Sequence, residues 1–403
     1  MKNKNPIDQI HIWDESIENS FRESNNRRFS MSKNAKMITG LCIALIVMIL
    51  ISVLFRYDFV HSPITAARYL SEVEVRLSNL WSFLTGKGAI NSINFAIYTS
   101  VIVVLVGAAL SVCGAVCQGL YHTPMASPNM LGINSGGMLA AILFLFICYD
   151  DTTFEQYYSF DEYTNLLDTL NLYQLYAQQI WMIIGCLLGA LTVIFLSTRA
   201  GRGKMSTVVL ILSGSLLGSF SSTVVSLGQY YFTYVDTTTT RTYAMMSIAA
   251  GTFANTYSLT HLFMLGIPII ICLVILFMMA PGINTLMFGD ETAKSMGMNV
   301  NRFRTGAFAV CVIACGLILS FVGQIGFVGL IVPHFARRFA GSDYRHMLPV
   351  CAALGGMTML LIYLVAVCTG FTTNINFITS IVGGALFIFF IVKFRRSRNA
   401  DWA

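Results

Sequence analysis

The sequence has few charged residues. Asp, Glu, Lys and Arg together make up 11% of 403 residues, whereas a soluble globular protein carries about 25%. Hydrophobic residues make up 56%, and they fall into blocks long enough to cross a hydrocarbon core of roughly 30 Å. This composition excludes a soluble globular fold and predicts a chain whose main solvent is the lipid bilayer.

Acidic side chains are absent from all of these apolar blocks. Carriers driven by protons or ions tend to place ionisable residues at the middle of the membrane. A membrane enzyme acting on lipid would need a cluster of histidines or acids at one interface, and the sequence contains no such cluster. Both functions are disfavoured, and we expect a path across the membrane lined by small, neutral and aliphatic side chains.

The sequence also lacks the phosphate-binding loop G-x4-G-K-[S/T] of nucleotide hydrolases. Gly203-Lys204 comes closest, but Met205 follows it. We therefore expect a transporter subunit that is not itself an enzyme and that binds no cofactor or metal. If transport is driven by ATP, a partner subunit must hydrolyse it.

Ten apolar blocks predict an all-α polytopic membrane protein. The predicted spans are 38–55, 95–117, 131–149, 178–197, 206–227, 262–280, 305–322, 326–340, 348–368 and 377–394. With both termini in the cytoplasm, 20 of the 25 Lys and Arg residues lie inside, as the positive-inside rule requires. Without a crossing at 326–340 this bias disappears. The net charge of +6 therefore follows topology and does not indicate nucleic-acid binding.

The spans divide the chain into three regions. Residues 1–36 are predicted to form a cytoplasmic tail, 37–396 the transmembrane domain, and 397–403 a second cytoplasmic tail. Apolar residues of the first tail fit one face of a helix lying on the inner leaflet, and a tail without a helix is the alternative: Ile7, Ile10, Trp13, Ile17 and Phe21. The long outer segments, including 228–261, are predicted to be loops.

Small residues recur at a spacing of four within several spans. Such spacing predicts close approach of helix backbones in a membrane; the pairs are Gly132 with Gly136, Gly185 with Gly189, and Gly214 with Gly218. Two cysteine pairs also share a helix face: Cys113 with Cys117, and Cys311 with Cys315. No histidine or carboxylate accompanies either cysteine pair, so we interpret both as packing residues.

The cytoplasmic segment 281–304 contains a short predicted helix. Asp290 and Glu291 fall in its first turn, where the helix dipole favours acids. Gly297 stands where a glycine would end the helix. A short capped helix between two spans offers a surface to a cytoplasmic partner, and an ordinary connecting loop is the alternative.

Three stretches resemble the permease family of ABC importers for iron-siderophores, haem and cobalamin. Residues 118–136 are similar to the signature Q-G-x4-P-x-A-x-P-x-x-L-G-x3-G, through Gln118, Gly119, Pro124, Ala126, Pro128, Gly132 and Gly136. Residues 323–337 resemble the most specific block of the family, through Gly326, Phe327, Gly329, Pro333, His334 and Arg337. Residues 289–297 resemble its G-x-E-x-A-x-x-x-G coupling segment, through Gly289, Asp290, Glu291, Thr292, Ala293, Ser295 and Gly297.

The resemblance implies a multi-pass subunit of the cytoplasmic membrane. Two permease subunits, identical or homologous, would enclose a central path, and residues 289–297 would dock on a dimer of cytoplasmic ATP-binding subunits. An extracytoplasmic substrate-binding protein would deliver the cargo to the outer loops. We expect an iron(III)-siderophore as cargo, with haem and cobalamin as alternatives. An acidic, tyrosine-rich outer insert near 150–177 departs from the family pattern.

Overall fold

Apolar runs form helices here because a backbone in lipid must satisfy its own N–H and C=O groups. The computed structural model of the protein describes residues 37–52, 90–123, 126–147, 172–200, 207–235, 239–253, 259–369 and 374–396. Compactness divides the chain into residues 1–44 and residues 45–403. Of the first unit, residues 37–44 are described, as the beginning of a helix. The predicted tails 1–36 and 397–403 lie outside the described residues.

The described ranges form α-helices and one short 3-10 turn, Asn129–Leu131, and contain no strand. The helices are α1 (Met37–Ser52), α2 (Ile90–Leu120), α3 (Ile133–Ile147), α4 (Leu172–Ala200), α5 (Thr207–Tyr234), α6 (Thr239–Ala250), α7 (Leu259–Met287), α8 (Asp290–Ser295), α9 (Val300–Val322), α10 (Val328–Ala340), α11 (Tyr344–Thr369) and α12 (Ile375–Arg396). Each predicted span overlaps one of these helices.

Six of the described helices are long and apolar enough to cross a membrane: α2, α4, α5, α7, α9 and α11. Shorter helices, α1, α3, α10 and α12, coincide with the other four predicted spans. For the described ranges the structure thus confirms an all-helical fold with six candidate spans, whereas the count of ten and the orientation of the termini stay predictions. Helix α6 occupies part of the segment 228–261, which the sequence predicted to be a loop.

Helix α2 lies at the centre of the bundle. In its apolar segment Ile97–Leu120, 83% of the most apolar window is buried, against 28% for the corresponding window of α5. It packs against α7, α9, α10 and α11, whereas α3, α4 and α5 pack against one another beside α9. The C-terminal half of α2 is therefore surrounded by protein, whereas α5 presents much of its apolar surface outward.

Glycines bring α3 and α4 into backbone contact, as their spacing predicted. A Cβ on Gly189 would stand 2.7 Å from the carbonyl oxygen of Gly132 and 2.7 Å from the Cα of Gly136. A Cβ on Gly185 would meet the carbonyl of Gly136. Larger side chains at these positions would push the two helices apart, which is the role that small residues serve between membrane helices.

The two cysteine pairs face each other across α2 and α9. Cys113 and Cys311 are both fully buried, and the Cys311 Sγ lies 4.0 Å from the carbonyl oxygen of Cys113. Their position in the interior agrees with the interpretation of these residues as small packing side chains.

Helix α10 is short because it begins inside the bundle. Gly329, in its first turn, approaches the Leu110 carbonyl, and a Cβ on Gly329 would lie 2.8 Å from that oxygen. Leu110 is near the middle of the apolar segment Ile97–Leu120. Thirteen residues then carry α10 about 20 Å toward the end of α2. The preceding residues 323–327 are irregular backbone at membrane depth, which is tolerated where protein surrounds it.

Candidate functional site

The short helix predicted between α7 and α9 is observed as α8. Gly289 precedes it with φ 101°, and Gly297 follows it with φ 85°. An added Cβ would meet nothing within 4 Å at either glycine, so backbone conformation, not crowding, requires glycine there. The Gly297 N–H donates to the Lys294 carbonyl at 2.9 Å and closes the helix. These two turns hold α8 as a separate element between two long helices.

One face of α8 is buried and the other faces solvent. Ala293 is fully buried, whereas Glu291, Thr292, Lys294 and Ser295 are exposed. The Lys294 ammonium lies 3.0 Å from the Glu291 carboxylate across one turn. Such an exposed pair contributes little stability, so it leaves both charges on the outer face available to a partner.

Asp290 connects α8 to the body of the protein. The Arg304 Nη2 of α9 donates to both carboxylate oxygens of Asp290, at 2.9 and 3.3 Å. The His122 Nε2, just after α2, lies 3.8 Å from the same carboxylate. These groups border a cavity of about 310 Å³, lined by Leu120, Tyr121, His122, Met287, Gly289, Asp290 and Arg304.

Exposed apolar side chains flank α8 on both sides. Met287 and Phe288 precede it with 41% and 73% of their surface exposed, and Met296 follows it with 65% exposed. Exposed charged and polar residues of α8 stand between these apolar side chains. Apolar surface surrounded by polar residues is typical of a protein-binding site.

A second network joins α7, α10 and α11 at the same end. The Asn284 amide donates to Asp343 Oδ1 at 2.6 Å, and its oxygen accepts the Tyr344 N–H at 2.9 Å. Arg337 donates to the Tyr344 hydroxyl at 2.9 Å. The network fixes the turn between α10 and α11, because its groups come from both helices and from the neighbouring α7.

The Asp343 carboxylate is the negatively charged member of this network. Burial raises its pKa, but hydrogen bonds from the Arg345 N–H and the Asn284 amide, with the nearby positive charges of His346 and Arg345, outweigh burial and hold the pKa below its ordinary value. These donors favour the charged form because they bind the carboxylate oxygens directly. The turn is therefore built around a negative charge.

The first and second signature stretches pack against each other. The Gln118 amide of α2 donates to the Leu330 carbonyl of α10 at 3.2 Å. Asn129 donates to the Ile325 carbonyl at 3.0 Å. Gly114, one turn before Gln118, approaches the backbone of Gly329 so closely that a Cβ would overlap it. The two stretches therefore form one contact between α2, the 3-10 turn and α10.

The irregular segment 323–327 is held by main-chain hydrogen bonds. The Gln324 N–H donates to the Ile248 carbonyl of α6 at 2.9 Å, and the Thr252 N–H donates to the Val322 carbonyl at 2.7 Å. Phe327 has φ 62° and packs against Gly383 of α12. Main-chain polar groups at this segment and at the end of α9 thus find partners on α6 and the residues just after it, as irregular backbone inside a membrane protein requires.

The remaining signature residues occupy packing positions. Ala126 and Pro128 are buried in the turn before α3, and Gly132 and Gly136 lie on the α3–α4 contact. Pro333 is buried inside α10 and His334 is half-buried beside it. Pro124 lies outside the described residues. Within the described ranges, no group of three or more His, Cys, Asp or Glu side chains is arranged to hold a metal ion.

Parts of all three predicted stretches meet at one end of the bundle. His122 of the first stretch borders the cavity with Gly289 and Asp290 of the coupling segment, and Arg337 of the second contacts Tyr344. Sequence reasoning missed Arg304, Asn284 and Tyr344. A polar Asn at the end of an apolar helix was the available signal for Asn284. Arg304 is one of several basic residues that the sequence predicts on the inner side, and nothing in the sequence distinguished it.

Known proteins resemble this chain along most of its length. Residues 45–393 match the model of the FecCD transport family. A cobalamin import system permease protein of Halobacterium salinarum is 30% identical over 71% of this chain and 69% of its own length. A hemin transport system permease protein of Yersinia pestis is 29% identical over 76% and 84%.

Similarity extends to the fold. A solved structure of a metal-chelate type ABC transporter, in an inward-facing conformation, superposes with a TM-score of 0.66, covering 89% of this chain and 99% of that one at 24% identity. Because the family model spans most of the sequence, the chain belongs to the FecCD transport family, whose members are permease subunits of ABC importers.

Proposed function

We propose that this chain translocates an iron(III)-siderophore across the cytoplasmic membrane as the permease subunit of an ABC importer. The observation that carries the proposal is the outer face of α8, where exposed Glu291 and Lys294 lie between the exposed apolar residues Phe288 and Met296. This face fits a cytoplasmic ATP-binding subunit, which supplies the hydrolysis for which this chain has no phosphate loop.

The topology that we propose has ten spans and cytoplasmic termini. The shorter helices α1, α3, α10 and α12 complete the count begun by the six long ones. Arg337 and Arg338 at the end of α10 lie on the cytoplasmic side in this arrangement, beside Tyr344 at the start of α11. The positive-inside bias supports this orientation. Residues 1–36 and 397–403 then form cytoplasmic tails.

The complete importer contains further subunits. A second permease subunit, identical or homologous, encloses the path with this one, and a dimer of ATP-binding subunits docks on α8 of each permease through residues 289–297. An extracytoplasmic binding protein delivers the cargo. Closure of the ATP-binding dimer pushes on α8 and drives the change between outward-open and inward-open states. This permease chain itself binds no cofactor.

The cargo is a metal chelate in this proposal. Relatives are named for cobalamin and for hemin, and both are large metal-containing molecules, as is an iron(III)-siderophore. Membrane-spanning segments without Asp or Glu suit a bulky chelate that passes without tight binding. Haem and cobalamin are the alternatives, and uptake measurements distinguish the three.

Uptake by a strain that lacks this permease tests the proposal. The strain, complemented with the wild-type gene, should accumulate ⁵⁵Fe from an iron(III)-siderophore in an ATP-dependent manner. Glu291→Lys and Gly289→Arg should lower uptake and reduce copurification of the ATP-binding subunit while leaving the amount of permease in the membrane unchanged. Gly306→Ala is the control, because a Cβ there meets nothing within 4 Å.

The outcomes separate docking from cargo. Wild-type uptake and copurification by both α8 variants would contradict the docking of the ATP-binding subunit on α8. Accumulation of labelled hemin or cobalamin, without accumulation of ⁵⁵Fe from the siderophore, would replace the proposed cargo and leave the importer function in place.

A further inference from the structure

Helix α8 is too short to hold its own position. It has six residues, and an isolated helix of fewer than about 12–15 residues is marginal in water. The Glu291–Lys294 pair lies within the helix and does not fasten it to a neighbour. Its position must therefore come from the buried Ala293 and from the contacts of Asp290, of which that with Arg304 at 2.9 Å is shorter than that with His122 at 3.8 Å.

The covalent connections at the two ends of α8 are glycine turns. Gly289 and Gly297 both have positive φ, and an added Cβ at either would meet nothing within 4 Å. Main-chain hydrogen bonds, and not packed side chains, hold these two turns. A contact that bypasses one of them would therefore transmit a force applied to α8 more directly than the turn itself.

Two contacts bypass the glycine turn on the α9 side. The Met298 N–H donates to the Ala293 carbonyl at 3.1 Å, and Arg304 donates to both oxygens of Asp290. The Arg304 side chain is only 15% exposed, against 41% for Asp290, so solvent screens this pair less than a surface pair. The ion pair therefore joins the first residue of α8 to the second turn of α9.

Helix α9 carries this connection through the protein. It is continuous from Val300 to Val322 without an internal proline, which corresponds to about 35 Å of helix. At its far end the Val322 carbonyl accepts the Thr252 N–H, and the Gln324 N–H donates to the Ile248 carbonyl. Main-chain hydrogen bonds thus fasten α6 and the segment after it to the end of α9.

We propose that Arg304 is a positioning residue that makes α8 and α9 move as one body, so that α9 transmits the movement of α8 to α6. Gly289 then serves as the hinge against α7, and the Asp290–Arg304 pair as the clamp to α9. This inference rests on the proposed docking of the ATP-binding subunit on α8. It adds the route by which a movement of α8, caused by the docked subunit, would reach the opposite end of the bundle.

The test uses the complete importer reconstituted in proteoliposomes. Arg304→Ala should still assemble with the ATP-binding subunit and hydrolyse ATP, but the amount of cargo transported per ATP should fall about fivefold or more. The double variant Asp290→Arg with Arg304→Asp should recover a substantial part of that ratio, because it restores an ion pair of reversed polarity. Arg302→Ala, an exposed arginine on the same helix, is the matched control and should transport like the wild type.

A distance measurement tests separately whether α9 transmits the movement of α8 to α6. Nitroxide labels are placed at Met246→Cys in α6 and at Ile147→Cys at the end of α3, both exposed positions, in a background whose reactive native cysteines are serine. The distance between the labels is compared in the nucleotide-free complex and in the complex trapped with ADP and vanadate after hydrolysis. The label distance should change in the wild type and stay constant in Arg304→Ala.

Three results would overturn the inference. They are a wild-type transport ratio in Arg304→Ala, a loss of subunit assembly in that variant, and a label distance that changes equally with and without Arg304. Failure of the proposed function is recognised differently, because the wild-type complex would then neither assemble nor transport.

Discussion

The Tyr344 hydroxyl lies where a side chain on Gly119 would be: a Cβ built on Gly119 stands 2.7 Å from Tyr344 Oη. Tyr344 is almost fully buried and its hydroxyl accepts a hydrogen bond from Arg337. One tyrosine therefore joins the end of α2, the end of α10 and the start of α11. The contact connects the first signature stretch to the second through a residue that belongs to neither.

Gly119→Ala should destabilise the protein by about 1–3 kcal/mol, the usual cost of overpacking a core. The new methyl would stand 2.7 Å from both Tyr344 Oη and Ile283 Cγ2, and Arg337 holds the tyrosine in place. Thermal unfolding of the purified protein in detergent measures the loss. Gly306→Ala on α9, where the added methyl meets nothing within 4 Å, is the control and should be equally or more stable than the wild type. Equal stability of the two variants would show that the α2–α11 contact is looser than described.

Tyr344→Phe should cost about 1–3 kcal/mol of unfolding free energy, because it removes a hydrogen-bond acceptor and leaves a partly buried Arg337 N–H without a partner. The Arg337 Nε is already buried without a hydrogen-bond partner among the described atoms. The control is Tyr230→Phe, since that ring is 62% exposed and a surface change stays within about 0.5 kcal/mol. Chemical denaturation of both variants gives the comparison, and an unaltered midpoint for Tyr344→Phe would contradict the role of this hydrogen bond.

The sequence predicted the helices better than their contacts. Each apolar block yields a helix because its hydrogen bonds are local, and α8 begins and ends at the glycines that its pattern indicated. Contacts such as that between Gln118 and Leu330, 212 residues apart, were not predictable. Helices that are apolar on all sides present no stripe that identifies the face toward a neighbour.

Two elements differ from expectation for tertiary reasons. Helix α6 begins at Thr239, in a segment that the sequence predicted to be a loop, yet its end is fastened through Ile248 and Thr252 to the chain around Val322. Helix α10 is shorter than a span because Gly323 and Gly326 permit an irregular segment within the bundle, bonded to that same end of α6. Both outcomes depend on contacts between distant segments, and local propensity does not contain that information.

Acidification should weaken the turn between α10 and α11. The Asp343 pKa is held below its ordinary value of about 3.8, so the native state favours the ionised form. The stabilisation is fully present above that ordinary value and is lost as pH falls through the lower native pKa. Asp343→Asn removes the titration, and its unfolding free energy should fall less steeply than that of the wild type below about pH 4. Parallel pH profiles for the two proteins would contradict this assignment.

Labelling at Ser342 tests whether α10 completes a crossing. Ser342 is exposed in the turn between α10 and α11, and the network around Asp343 and Tyr344 places this turn at the same end as α8. If the chain crosses through 326–340, a cysteine at 342 lies in the cytoplasm with Arg337 and Arg338. An impermeant maleimide should then label Ser342→Cys only after the cells are permeabilised.

A second cysteine position serves as the positive control for labelling from outside. Val235, exposed after α5, lies outside in the proposed topology, so Val235→Cys should react in intact cells. The parent protein, with its reactive cysteines replaced by serine, gives the background. Labelling of Ser342→Cys in intact cells would remove the crossing and reverse α11 and α12. That reversal would also put the Arg337–Tyr344 contact outside, while α8 stays inside with the ATP-binding subunit. The contacts around Tyr344 and those around Asp290 would then face opposite sides of the membrane, although both lie at one end of the bundle. Their shared helix α2, which contacts both through Gly119 and His122, does not permit that arrangement, so we expect labelling from the inside.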